Sequence, residues 1–130
     1  MDFEISRLYR SDGEDERLVL LANSDADIGE YAAMDSTYDE ASDELTNIFR
    51  HIFWFPNQQV KRGEKVILYT KKHSGGKTYT YEPPKNGNVG KHFFYWGSDA
   101  NVWNNDEDSV TLIKITGIQV KSYKDIQAKK

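Results

Sequence analysis

Apolar residues in this chain fall in short runs separated by polar, glycine-containing or proline-containing breaks, some runs compact and others alternating at a spacing of two. That period belongs to strands, whose side chains alternate between two faces. Phe3, Ile5, Leu8 and Tyr9 predict an opening strand, closed by the turn-forming stretch Ser11 to Glu16 (SDGEDE). Leu18 to Leu21 is a compact run bounded by turn residues and predicts a buried strand. A short strand follows over Ile28 to Met34. Residues 35–47 are the most acidic part of the chain. Asp35, Ser36 and Thr37 are capping residues, and Tyr38, Ala41 and Leu45 sit at spacings of three and four, so this stretch predicts a short amphipathic helix or an exposed loop.

Beyond residue 47 the pattern is cleaner. Ile48 to Phe55 is dense in β-branched and aromatic residues and ends at Pro56-Asn57. Lys65 to Thr70 (KVILYT) predicts a central strand, Ser74-Gly75-Gly76 a hairpin loop, and Thr78 to Glu82 (TYTYE) an alternating strand stopped by Pro83-Pro84. Further strands are predicted over His92 to Trp96, from Val102-Trp103, over Val110 to Ile115, and loosely over Ile118, Val120 and Tyr123. The polar tail 124–130 is expected to fray. Many short strands without a long helical period predict an all-β sandwich or barrel. At 130 residues and 15.0 kDa the chain suits one domain, 1–130, with no internal repeat and no linker.

Composition narrows the chemistry. There is no cysteine, which excludes disulfides, thiolate metal sites and a cysteine nucleophile. No apolar run approaches the ~20 residues of a membrane-spanning helix. MDFEISRLYR lacks the basic-then-apolar pattern of a signal peptide, so a cytoplasmic setting is expected. Gly75-Gly76-Lys77-Thr78 has Lys71 where a phosphate loop needs glycine, and a strand pattern where it needs a helix. His51, His73 and His92 show no metal-ligand spacing and read as structural or surface histidines. No hydrolytic motif is present, and neither an enzymatic activity nor a cofactor is expected. The acid-rich loops read as solvated; the candidates to hold calcium are Asp12, Glu14 and Glu16.

The net charge of −4 conceals a division. Residues 1–47 hold 14 acids and 3 bases, while residues 48–130 hold 7 acids and 14 bases. Between Lys61 and Lys91 there are eight bases and two acids, interleaved with tyrosines. Lysines on strand edges discourage aggregation. They also neutralise phosphates, and exposed tyrosines stack on bases. Lys61, Arg62, Lys71, Lys72, Lys77, Tyr79 and Tyr81 are therefore the candidates for a nucleic-acid interface. Contiguous aromatics such as Phe53-Trp54-Phe55 and Phe93 to Trp96 must point to both faces of their strands, so some rings are exposed unless both faces are covered. Trp54, Trp96 and Trp103 are the candidates for a protein-docking or sugar-binding patch.

Three motifs carry a family resemblance. They are FWFPNQQVKRGEKVILYT, with its aromatic strand, turn, Gly-Glu pair and β-branched strand; HFFYWGSDANVWNNDEDSVTLI, with its Trp–Asn–Asp turn running into an apolar strand; and the glycine-containing ITGIQVKS. From Phe53 to about Val120, a little over half of the chain, the sequence resembles the lamin-tail domain family. The resemblance implies an immunoglobulin-like β-sandwich of about seven to nine strands with no catalytic residues. The expected function is a non-catalytic interaction module that docks a protein partner through an aromatic or edge-strand surface; the alternative is nucleic-acid binding through the basic hairpin at about 61–91.

Overall fold

The structure is a computed structural model that describes residues 1–10, 15–39, 44–103 and 108–127, with side chains described for all of these except 36–39 and 44–50. Asp12 and Glu14 lie outside the described residues. The strands are β1 (Phe3–Tyr9), β2 (Arg17–Ala22), β3 (Ala26–Asp27), β4 (Tyr31–Asp39), β5 (Glu44–Trp54), β6 (Gln59–Val60), β7 (Lys65–Lys71), β8 (Tyr79–Glu82), β9 (Lys91–Ser98) and β10 (Asp108–Lys114). A 3₁₀ turn, Ile28–Glu30, precedes β4, and one helical turn, α1 (Tyr123–Gln127), follows β10. The fold is an all-β, sandwich-like single domain, as the spacing of apolar residues predicts. A five-stranded sheet in the order β1-β2-β7-β9-β8 packs against a three-stranded sheet in the order β10-β4-β5, and β3 pairs with β6.

Alternation explains which side of each strand is buried. Leu18, Leu20 and Ala22 of β2 face inward, as do Val66, Leu68 and Thr70 of β7 and Phe94 of β9. The three-stranded sheet meets them with Tyr31 and Ala33, supported by Phe53, Val110 and Leu112. Burying an aliphatic side chain of this size contributes roughly 1.5–3 kcal/mol, so this layer supplies most of the favourable term. Val102 and Trp103 do not start a strand. They form a bend that closes one end of the sandwich, and both are buried. Buried Glu16 holds the bend, its Oε1 accepting from Val102 N at 2.7 Å and its Oε2 from Trp103 N at 3.1 Å. Glu16 thus serves the core, with each carboxylate oxygen committed to a backbone donor.

Several local expectations are corrected. Much of 35–47 is strand: β4 continues to Asp39 and β5 starts at Glu44, antiparallel partners, while residues 40–43 lie outside the described set. Tertiary pairing overrides the helical spacing there, because β4 is bonded on both sides, to β10 and to β5, and a helix of this length gains little alone. No strand forms over residues 118–123. Part of the tail expected to fray is α1, where Ser122 Oγ accepts from Asp125 N at 3.1 Å.

Ser74 to Gly76 lies in a turn, with Gly76 N donating to His73 O at 2.9 Å, but the loop is not a hairpin. It joins β7 to β8, two strand positions apart, a span of roughly 10 Å. The chain then returns through a tight reversal at Asn86-Gly87, both at positive φ (51° and 81°), and places β9 between its two predecessors, parallel to β7. Asn-Gly is the pair that such a reversal favours.

Candidate nucleic-acid interface

The register of the five-stranded sheet fixes its outward face. Tyr9 pairs with Arg17, Arg17 with Tyr69, and Tyr69 with Tyr95, which makes one straight row across β1, β2, β7 and β9. The adjacent row is Arg7, Val19, Ile67, Phe93 and Thr80, and the next holds Leu21, Lys65, Lys91 and Glu82. Successive rows are about 7 Å apart, two residues along each strand.

The rings in these rows are ordered against one another. Tyr69 and Tyr95 lie nearly parallel, with centroids 5.6 Å apart and planes 7° apart, and Phe93 stands 6.3 Å from Tyr69 at 22°. His73 meets the edge of Tyr95 at 4.8 Å. The Arg17 guanidinium lies 4.0 Å from the Tyr9 centroid and 5.8 Å from that of Tyr69, and Arg7 covers Tyr9 at 4.5 Å. Such contacts fix the arginines as flat, charged plates among the rings. Thr80 Oγ1 lies 3.3 Å from the Tyr95 hydroxyl. Two shallow depressions cross this face. One is lined by Tyr69, Tyr95, Lys71, Lys72, His73 and Asp15, the other by Arg7, Tyr9, Arg17, Lys65, Lys91 and Phe93.

Of the residues singled out in the sequence, only Lys71 and Lys72 border this face. Lys77 lies in the 72–78 loop beside Trp96. Lys61 and Arg62 belong to the turn before β7, where their backbone N–H groups donate to Glu64 Oε1 (2.9 Å) and Asp25 Oδ1 (2.7 Å). Tyr79 and Tyr81 pair with Phe94 and His92, so they point to the opposite side of the sheet. Sequence reasoning did not select Tyr9, Tyr69, Phe93 and Tyr95 as a group. The parity of KVILYTK gives a signal for Tyr69, since Val66, Leu68 and Thr70 take the buried side.

Tyr79 and Tyr81 join a separate, self-contained network. His92 Nε2 lies 2.9 Å from Glu64 Oε1, the Tyr79 hydroxyl 2.7 Å from His92 Nδ1, and the Tyr81 hydroxyl donates to Glu64 Oε2 at 2.9 Å. Burial raises the Glu64 pKa, but hydrogen bonds from His92, the Lys61 N–H and Tyr81 outweigh it and leave the carboxyl below its usual range. Burial, followed by the Glu64 charge, raises the Tyr79 pKa; for Tyr81 the Glu64 hydrogen bond is the main cause of the rise. Gly90 leaves room for the cluster, because a Cβ there would collide with Glu64 Oε2 and stand 2.7 Å from the Tyr81 hydroxyl. Hydrogen bonds at both nitrogens of His92 and both carboxylate oxygens of Glu64 clasp β8 and β9 to the turn that leads into β7.

The tryptophans are dispersed. Trp103 is fully buried, and Trp96 packs on it at 5.8 Å and on Phe53 at 5.5 Å. Trp54 is half exposed on the outer face of the three-stranded sheet, its Nε1 donating to Gly29 O at 2.7 Å. Among the described residues no group of three or more metal-ligating side chains comes together, and no helix is long and apolar enough to cross a membrane. No family model, curated protein or solved structure matches the chain.

Proposed function

We propose that this chain is a non-catalytic binding module that holds single-stranded nucleic acid on the outer face of its five-stranded sheet. The observation that carries this reading is the row Tyr9–Arg17–Tyr69–Tyr95, planar groups at strand spacing with Phe93 beside them and Lys65, Lys71, Lys72 and Lys91 around them. Unstacked bases bind to aromatic rings and guanidinium planes on open sheets, and the cations neutralise the accompanying phosphates. A duplex, with its bases already stacked, offers this face only its phosphates.

Anisotropy with labelled single-stranded and duplex oligonucleotides at low and moderate salt tests the reading. Single strands bind more tightly than duplex. Tyr69→Ala with Tyr95→Ala weakens binding by about 30-fold or more, at ~1–3 kcal/mol per stacked base. Lys71→Glu with Lys72→Glu flattens the salt dependence. Lys61→Glu with Arg62→Glu, in the turn away from these rows, has a smaller effect. Absence of binding at low salt, or binding indifferent to Tyr69 and Tyr95, overturns the proposal.

Docking of a protein partner through an aromatic or edge-strand surface rests on a different face. Ile52, Trp54 and Ile113 are exposed on the outer side of the three-stranded sheet, around Ala32 and Met34.

A further inference from the structure

The outer face of the three-stranded sheet is apolar, with exposed residues on β5 and β10 flanking Ala32 and Met34 of β4, which are buried. One row runs Ile113, Ala32, Trp54, and the next Thr111, Met34, Ile52. Ile52 is 59% exposed, Trp54 50% and Ile113 40%. The segment that leaves this sheet carries a second exposed apolar set: Ile118, Val120, Tyr123 and Ile126 are 54–84% exposed. It departs beside the first row, where Ile115 N donates to Glu30 O at 2.6 Å. Within the chain both sets remain exposed.

We propose that two copies of this chain associate by exchange, the segment 115–127 of each lying across the apolar outer face of the other's three-stranded sheet. Size favours that occupant. The three exposed face residues and four segment residues, at ~60–120 Å² each, bury on the order of 500–800 Å² per copy, near the ~800 Å² per partner of a stable interface. Exchange between two copies is a closed arrangement in which each supplies one face and one segment, so no apolar surface is left to propagate.

Sedimentation velocity of the full chain over two decades of concentration tests this. The expected result is a reversible dimer. Ile118→Asp with Val120→Asp weakens it by about tenfold or more, and so does Ile52→Asp on the face. All three residues are solvent-exposed, so the variants fold, and circular dichroism checks this. Mixing the segment variant with the face variant restores association, because the mixed pair retains one intact segment on one intact face. A chain that stays monomeric at every concentration, a dimer indifferent to both variants, or a mixture that fails to associate overturns the proposal.

Discussion

The two sheets bury one core between them and present opposite chemistry on their outer sides. The outer face of the five-stranded sheet exposes tyrosines, a phenylalanine and long cations around a buried centre of Val19 and Ile67. That of the three-stranded sheet exposes isoleucine and tryptophan around buried Ala32 and Met34. Both depart from the polar exterior that an antiparallel sheet ordinarily shows to water. The difference teaches what each face is suited to meet. Rings interleaved with guanidinium groups keep their polar edges hydrated and accept flat, charged ligands; an aliphatic patch gains only from another apolar surface.

The sharpest way to test this division is to compare two adjacent residues of β7. Leu68 is fully buried, and Tyr69 follows it on the outer face. Leu68→Ala is expected to destabilise the fold by about 2–5 kcal/mol, read by chemical denaturation. Tyr69→Ala is expected to cost less than half as much, because it leaves no closed cavity. If the two variants are equally destabilised, the outer face is a second core and the comparison breaks.

Much of this was legible in the sequence. The strands β2, β7 and β9 keep a buried residue at every second position, with Val19 and Ile67 buried on the other parity as well, and the sandwich follows from them. The outward row was harder to read. Tyr9, Arg17, Tyr69 and Tyr95 come from four strands, and only the pairing order, with β9 placed between β7 and β8, aligns them. A hairpin between β7 and β8, as the Gly-Gly loop suggests, would put different residues side by side. Tyr79 and Tyr81 illustrate a further limit. Alternation shows that they share a face, but which face depends on the register with Phe94 and His92. The network around Glu64 joins residues up to 28 positions apart and has no local signature.

A smaller effect concerns what holds the two sheets in place. Before β1, Asp2 accepts from the hydroxyls of Tyr31 (2.6 Å) and Ser24 (2.9 Å) and from Lys114 Nζ (3.2 Å), tying the edge of one sheet to β4 and β10 of the other. These bonds, the one from Tyr31 foremost, lower its pKa to about 2. The unfolded carboxyl titrates near ~3.9. A depressed folded value means that the stabilisation is complete above the unfolded pKa and is lost as pH falls from about 4 through about 2. Melting temperatures across that window are expected to fall less steeply in Asp2→Asn than in the wild type. An unchanged slope removes Asp2 from the clasp. Glu64, also lowered, contributes in the same direction on the β7–β9 side.

The smallest expected effect is also the one with the least intuitive sign. Thr70 stands on the inward side of β7, in line with Val66 and Leu68, and is fully buried with its Oγ1 unpartnered. A buried hydroxyl without a hydrogen bond has given up water and gained nothing in return. Thr70→Val keeps the branched shape, and strands favour valine, so the ladder and the packing are preserved. Stability is expected to rise by up to about 1 kcal/mol, measured by denaturant unfolding with an unchanged slope. Because the substitution lies on the inner face, oligonucleotide affinity should not move. A gain in stability that also alters binding would mean that the two sides of β7 are coupled, and the separation between core and outer face would fail at this strand.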